Sequence, residues 1–173
     1  MGFYEQIAPY YEYIFPAGQE QLDFIKKAAG NPPKKLLDAA CGTGEYSISL
    51  AGCGYEVWAF DLDAEMVRRA EIKAKEKNVN VRLFVADMLI LDEMPGTGFD
   101  CVFCIGNSIV HLGSKDAILD AIRNMKKKLG RNGALLLQII NFDRILEKGV
   151  TSLPTITNSD IGLVFHRNYK RNE

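Results

Sequence analysis

Only two histidines, His111 and His166, occur in the 173 residues, too few to build a histidine metal centre, and no metal site is expected. An excess of one charge is missing too. Lys and Arg number 21 against 22 Asp and Glu, a net charge of −1, which argues against a nucleic-acid-binding surface while leaving room for a local basic patch. No apolar run approaches the roughly 18 residues of a membrane span, so no membrane partner is expected. The start, Met1-Gly-Phe-Tyr-Glu5, lacks the basic-then-apolar order of a secretion signal, and a cytoplasmic chain is the expectation. Four cysteines cannot form a disulfide scaffold in a chain this long. Cys101-Val-Phe-Cys104 has redox or zinc spacing, but it lies in an apolar run that reads as a strand. Residues i and i+3 of a strand point to opposite faces, so these read as buried, reduced thiols.

What is present is an ordinary globular mixture, 47% hydrophobic and 25% charged, of a length that suits one domain. Apolar runs alternate with amphipathic stretches, the pattern of βαβ units around a parallel sheet. The spacing predicts helices over 19–29, closed by Gly30, over 44–51, and from an Asp63 cap to about Lys77 with Met66, Val67, Ala70 and Ala74 inward. A further helix opens at Ser114, buries Ile118, Leu119, Ile122, Met125 and Leu129, and is closed by Gly130. Strands are expected from Leu36, over 57–60, 81–85, 100–105 and 133–140. Beyond Leu146 weak alternation over 155–157 and 162–169 reads as two antiparallel strands around Asn158-Ser-Asp160.

Open α/β sheets bind ligands beyond the carboxyl ends of their strands, and the informative residues cluster there. The first strand ends in Asp38-Ala-Ala-Cys-Gly-Thr-Gly44, where Gly42 and Gly44 allow a tight turn and close backbone approach to a ligand. A dinucleotide fingerprint needs a third glycine at position 47, and Ser47 stands there. Asp38 would repel a pyrophosphate but suits a ligand bearing an ammonium and a sulfonium. Asp61 directly follows the second strand and can accept two hydrogen bonds at once. Asp87 follows the third; the alternative for a lone acid there is a helix cap.

These segments resemble the motifs of class I S-adenosylmethionine-dependent methyltransferases. Leu36-Leu-Asp-Ala-Ala-Cys-Gly-Thr-Gly44 is similar to the first motif, with Ala40 where many members have glycine. Val57-Trp-Ala-Phe-Asp-Leu-Asp-Ala-Glu-Met66 is similar to the second and Val85-Ala-Asp-Met88 to the third. The resemblance implies a doubly wound, mostly parallel sheet of the Rossmann-like methyltransferase kind, lacking its last strands in this chain. It implies S-adenosyl-L-methionine as cofactor and S-adenosyl-L-homocysteine as product. It places Asp61 on the ribose hydroxyls, Asp87 on the adenine amino group and the Met88 amide at the ring. It also gives Tyr11, Asp38, Ala40, Gly42, Gly44, Leu62, Met66 and Ile105 to the cofactor. Gly106-Asn107-Ser108 with His111-Leu112, and Asn141-Phe-Asp143 with Ile145-Leu146, resemble the glycine and sarcosine N-methyltransferases. That likeness assigns Asn107 and His111 to the acceptor and predicts methyl transfer to a small molecule, at nitrogen. The run Phe3-Tyr4 to Phe15 is similar to an aromatic segment that lids the cofactor; read alone, it is equally an amphipathic helix packed on the domain.

One departure matters. The glycine enzymes have an arginine directly before Asn-Tyr-Asp, and this sequence has Ile140, which cannot pair with a carboxylate. Arg144 or Arg167 could serve only if the tail folds back. The resemblance covers residues 1–147, expected as the methyltransferase domain, with 148–173 an extension. The short C-terminus reads either as a fragment or as a chain that closes its site with a partner, as in a homo-oligomer. No catalytic residue is assigned. Two rivals remain: a catalytically inactive S-adenosylmethionine-binding module on the same fold and a nicotinamide-dependent dehydrogenase.

Overall fold

The computed structural model describes residues 6–169, so Phe3 and Tyr4 of the aromatic run and residues 170–173 lie outside it. The first described element is a 3-10 turn (Ala8–Tyr10) that runs into a short helix, α1 (Tyr11–Ile14), followed by α2 (Gln19–Ala29), β1 (Lys35–Ala39), α3 (Glu45–Gly52) and β2 (Glu56–Asp61). Next come α4 (Ala64–Glu76), β3 (Val81–Val85), β4 (Phe99–Cys104), α5 (Lys115–Lys128) and β5 (Leu129–Leu137). Helix α6 (Phe142–Glu147) and the strands β6 (Ser152–Asn158) and β7 (Leu163–Asn168) complete the described chain.

The first five strands form one parallel sheet in the order β3-β2-β1-β4-β5. Alternation along each strand splits the core in two. Leu37, Trp58, Phe60, Val102 and Cys104 pack on one face with Ala121 and Met125 of α5. Leu36, Val57, Cys101 and Phe103 pack on the other with Leu22 and Ile25 of α2 and Leu50 of α3. Cys101 and Cys104 therefore face opposite sides, as strand geometry requires, and burial pushes both thiols up to about 12. After β3 the chain returns across β1 to build β4, so the order reverses between β1 and β4, and a crevice opens there.

Helix limits follow the local signals closely. Gly30 closes α2 at a φ of 83°. The Asp63 carboxylate caps α4 by accepting from the amides of Glu65 and Met66, and Met66, Val67, Ala70 and Ala74 are the buried residues. Ser114 caps α5 through the Ala117 amide.

Two expectations around α5 are overturned. Leu119 is 48% exposed, and Ala121, whose small side chain lets the helix approach the sheet, takes the buried position. Gly130 does not close the helix. Leu129 leaves it in an extended conformation (φ −67°, ψ 147°) and already pairs with Phe99, so Gly130 lies inside β5. The strand thus starts earlier than position 133 and ends at Leu137, before 140. A shift between Leu129↔Phe99 and Cys101↔Ala134 takes up the extra residues. At Gly133 a Cβ would lie 2.5 Å from the Phe99 carbonyl oxygen, so only glycine fits this bulge.

The pair β6 and β7 is antiparallel, as expected, and makes a separate two-stranded sheet. Phe165 of β7 meets Phe15 edge-on with ring centroids 6.0 Å apart, which ties the hairpin to the N-terminal segment. Among the described residues no helix is long and apolar enough to cross a membrane, and no group of three or more His, Cys, Asp and Glu could hold a metal ion.

Candidate functional site

A cavity of about 750 Å³ opens at the switch point, within the range of small-molecule sites. The loops after β1, β2, β3 and β4 and the N-terminal segment surround it.

The loop after β1 carries its strain on the cavity side. Ala40 adopts a left-handed φ of 60°, the conformation for which glycine is the default residue. Gly42 has a φ of 54°, and a Cβ there would meet the Tyr11 ring at 3.0 Å, so this glycine lets the N-terminal helix close onto the loop. Gly44 behaves differently. It does not line the cavity; at a φ of 82° it faces α4, where a Cβ would lie 3.0 Å from Cβ of Ala70. The structure thus assigns Gly44 to helix packing and Gly42 to the cleft.

Asp38 is 2% exposed and lines the cavity. Ser47 donates to its Oδ2 at 2.7 Å, so the residue standing in place of a third glycine is a buried partner of the acid. Burial pushes the Asp38 carboxyl up to about 7, opposed by the Ser47 hydroxyl. A cation placed beside it would favour the carboxylate again. Asp61 joins two loops: Oδ2 accepts from the Gly42 amide at 2.8 Å and Oδ1 from the Asp63 amide at 3.0 Å. Burial raises its pKa as well, while these two amides pull it down. Asp87 accepts from the Leu89 amide at 2.8 Å, so it caps the turn and lines the cavity at once.

Tyr11, Ala40, Leu62, Met66, Met88, Ile105 and His111 also line the cavity, and the structure brings them together with Asp38, Gly42, Asp61 and Asp87. Asn107 stands apart. It has a left-handed φ of 77°, does not line the cavity, and its Oδ1 accepts from the Ile140 amide at 3.0 Å. It holds the chain leaving β5 and stands outside the cavity lining. Ile140, Arg144 and Arg167 are likewise outside the lining, and among the described residues no Lys or Arg lines the cavity.

Further lining residues were not singled out for the site one by one: Pro16, Glu45 and Tyr46 carried no site signal, while Ile14 and Phe15 belong to the aromatic run and Asp63, Ser108 and Leu112 to the motif segments. Ile14, Phe15 and Pro16 form a wall with Tyr11, whose ring centroid lies 5.0 Å from that of Phe15. Tyr46 reaches the cavity from the first turn of α3 and accepts from the Gly18 amide at 3.3 Å. Glu45, Asp63, Ser108 and Leu112 complete the polar and apolar rim. Tyr46 could have been suspected, since it follows the glycine loop at a helix start.

The residues fit a ligand that carries a cation, hydroxyls and an aromatic amine. Five carboxylates (Asp38, Glu45, Asp61, Asp63 and Asp87) line the cavity without a lysine or arginine, which suits a sulfonium and an ammonium and opposes a pyrophosphate.

Compared with known proteins, residues 36–133 match the methyltransferase domain family. A glycine/sarcosine N-methyltransferase of Aphanothece halophytica is 32% identical over 154 residues, which is 89% of this chain and 58% of that protein. This chain therefore spans less than two thirds of that relative's length. Among solved structures, an S-adenosylmethionine-dependent methyltransferase from Clostridium acetobutylicum superposes with a TM-score of 0.72 at 19% identity, covering 98% of this chain and 83% of that one. A SAM-bound amino pentose methyltransferase from Micromonospora echinaspora gives 0.63 at 26% identity over 81% of this chain and 57% of that one.

Proposed function

The chain belongs to the class I S-adenosylmethionine-dependent methyltransferases, and on that premise we propose that it transfers a methyl group from S-adenosylmethionine to a small-molecule acceptor, at nitrogen. The observation that carries this reading is the cavity at the switch point, lined by carboxylates at the ends of three successive strands. When bound, the cofactor supplies an electrophilic methyl on a sulfonium. The chain's residues supply position and dryness. Asp61 would hold the ribose hydroxyls, with its own orientation fixed by the Gly42 and Asp63 amides. Asp87 would accept from the adenine amino group, and Asp38, kept in place by Ser47, would face the ammonium. Tyr11, Ile14 and Phe15 would exclude water from the same space. Methyl transfer disperses charge and creates none, so positioning supplies most of the catalysis.

On the acceptor side Ser108, His111 and Leu112 line the cavity beyond Ile105. The absence of a lysine or arginine among the described lining residues, with Ile140 in place of an arginine, supports an acceptor that lacks a glycine-like carboxylate. The family match sets the dehydrogenase reading aside.

Calorimetric titration with S-adenosylmethionine, followed by a turnover assay on a panel of small amines, tests the proposal. Asp61→Ala is expected to weaken binding by about 1.5–3 kcal/mol, the range for a hydrogen bond to a charged group. An unchanged Kd in a folded Asp61→Ala protein removes the ribose assignment. Binding without turnover of any amine makes the chain a binding module.

A further inference from the structure

Lys73 belongs to no motif, yet it stands where three segments of the site meet. It projects from α4 with its side chain only 17% exposed. Its ammonium lies 3.1 Å from Oε2 of Glu12 on α1, forms a close ion pair with Glu45 at the start of α3, and donates to the Thr43 hydroxyl at 3.3 Å. Thr43 sits between Gly42 and Gly44 in the loop after β1 and is 1% exposed. One cation therefore joins the helix that walls the cavity to the loop on its floor.

Helix α1 has only four residues, too few to be stable by its own hydrogen bonds. Its position must come from tertiary contacts, which include the burial of Ile14 (3% exposed), the edge-on contact of Phe15 with Phe165, and the Glu12–Lys73 pair. The first two are apolar. The third is an ion pair between α1 and the layer beneath it, and it is shared with Glu45. Without the ammonium, the Glu12 and Glu45 carboxylates would be left near each other as like charges, which pushes the helix off the loop.

We infer that Lys73 is a positioning residue that holds the N-terminal helix down over the glycine loop and so sets how long a ligand stays in the cavity. It acts through Glu12, Thr43 and Glu45 and touches no ligand itself. The inference rests on the proposed function for the identity of the ligand but not for the latch.

The test has two readouts on the full chain. The first needs no ligand: chymotryptic cleavage of the native protein after Tyr10, Tyr11 and Tyr13, compared with cleavage elsewhere. The second is the dissociation rate of S-adenosylhomocysteine. Lys73→Met is expected to speed both by about two- to fivefold, the worth of a partly exposed pair converted to a rate ratio. Glu12→Gln is expected to give a smaller change of the same sign, and Lys73→Arg to restore near wild-type behaviour. The wild-type dissociation rate should rise with salt while that of Lys73→Met should not. Acceleration of cleavage at all sites alike, or a dissociation rate unchanged in Lys73→Met, overturns the inference, because Lys73 would then serve the fold alone. Failure of the wild type to bind S-adenosylhomocysteine would instead strike the proposed function, and the cleavage comparison would still decide on the latch.

Discussion

From β1 to β3 the cavity-lining acid at each strand end is held by a second group: Asp38 by Ser47, Asp61 by the Gly42 and Asp63 amides, Asp87 by the Leu89 amide. Beyond β4 and β5 the arrangement is looser. Asn107 secures the Ile140 amide, while Leu137, Ile139 and Leu146 are 40%, 55% and 59% exposed. The first region is a pre-formed cradle in which buried polar atoms fix one another. The second lies at the margin of the sheet, where β5 pairs with β4 on one side. Changes in the first region should therefore act on the fold or on cofactor affinity, and changes in the second on the acceptor.

The largest effect that sharpens this contrast is expected at Gly44. Gly44→Val forces a β-branched residue into a left-handed conformation and overpacks Ala70, a cost of about 3 kcal/mol, or roughly 10 °C in the thermal midpoint. Differential scanning calorimetry of the ligand-free protein measures it. A midpoint close to wild type with binding abolished would return Gly44 to the ligand side.

Asp38 should show the next largest effect. Its carboxyl titrates near 7 in the folded protein against 3.8 as the ordinary value, because burial disfavours the charge. The folded state thus holds the proton more tightly, so this group favours folding below about pH 4 and that contribution is lost as the pH rises through 7. Between about pH 4 and 7 the ligand-free protein should lose stability from this residue, and Asp38→Asn should remove that slope. A cationic ligand draws the proton off, so titration calorimetry at pH 6 in buffers of different ionisation enthalpy should detect proton release. Its persistence in Asp38→Asn would locate the titrating group elsewhere.

Asn107→Ala should give the smallest effect. Loss of one half-buried hydrogen bond costs about 1 kcal/mol, and the Kd for S-adenosylhomocysteine should not change. Weakened cofactor binding in this variant would break the division between the two regions and bring Asn107 into the cleft.

The pattern of residues determined a good deal by itself. Apolar runs bounded by Gly and Asp set four of the five parallel strands to within a residue or so. Asp63 and Ser114 marked helix starts through the hydrogen bonds they went on to make. Acids directly after strands identified the cleft, because a parallel sheet must deliver its strand ends to one edge. These signals are local, carried by spacing and backbone preference. Tertiary structure decided the rest. Whether Gly42 or Gly44 faces the cavity depends on where α4 lies, not on the loop's sequence. Asn107 became a tether because the chain leaving β5 passes within its reach. The start of β5 shifted because Leu129 found a partner in Phe99 as soon as α5 ended. Lys73 joins Glu12 and Glu45, residues distant from it in sequence, through packing of three separate segments. Contacts of that kind have no period and no neighbouring signature, since the groups that make them meet only once the sheet has ordered the helices around it.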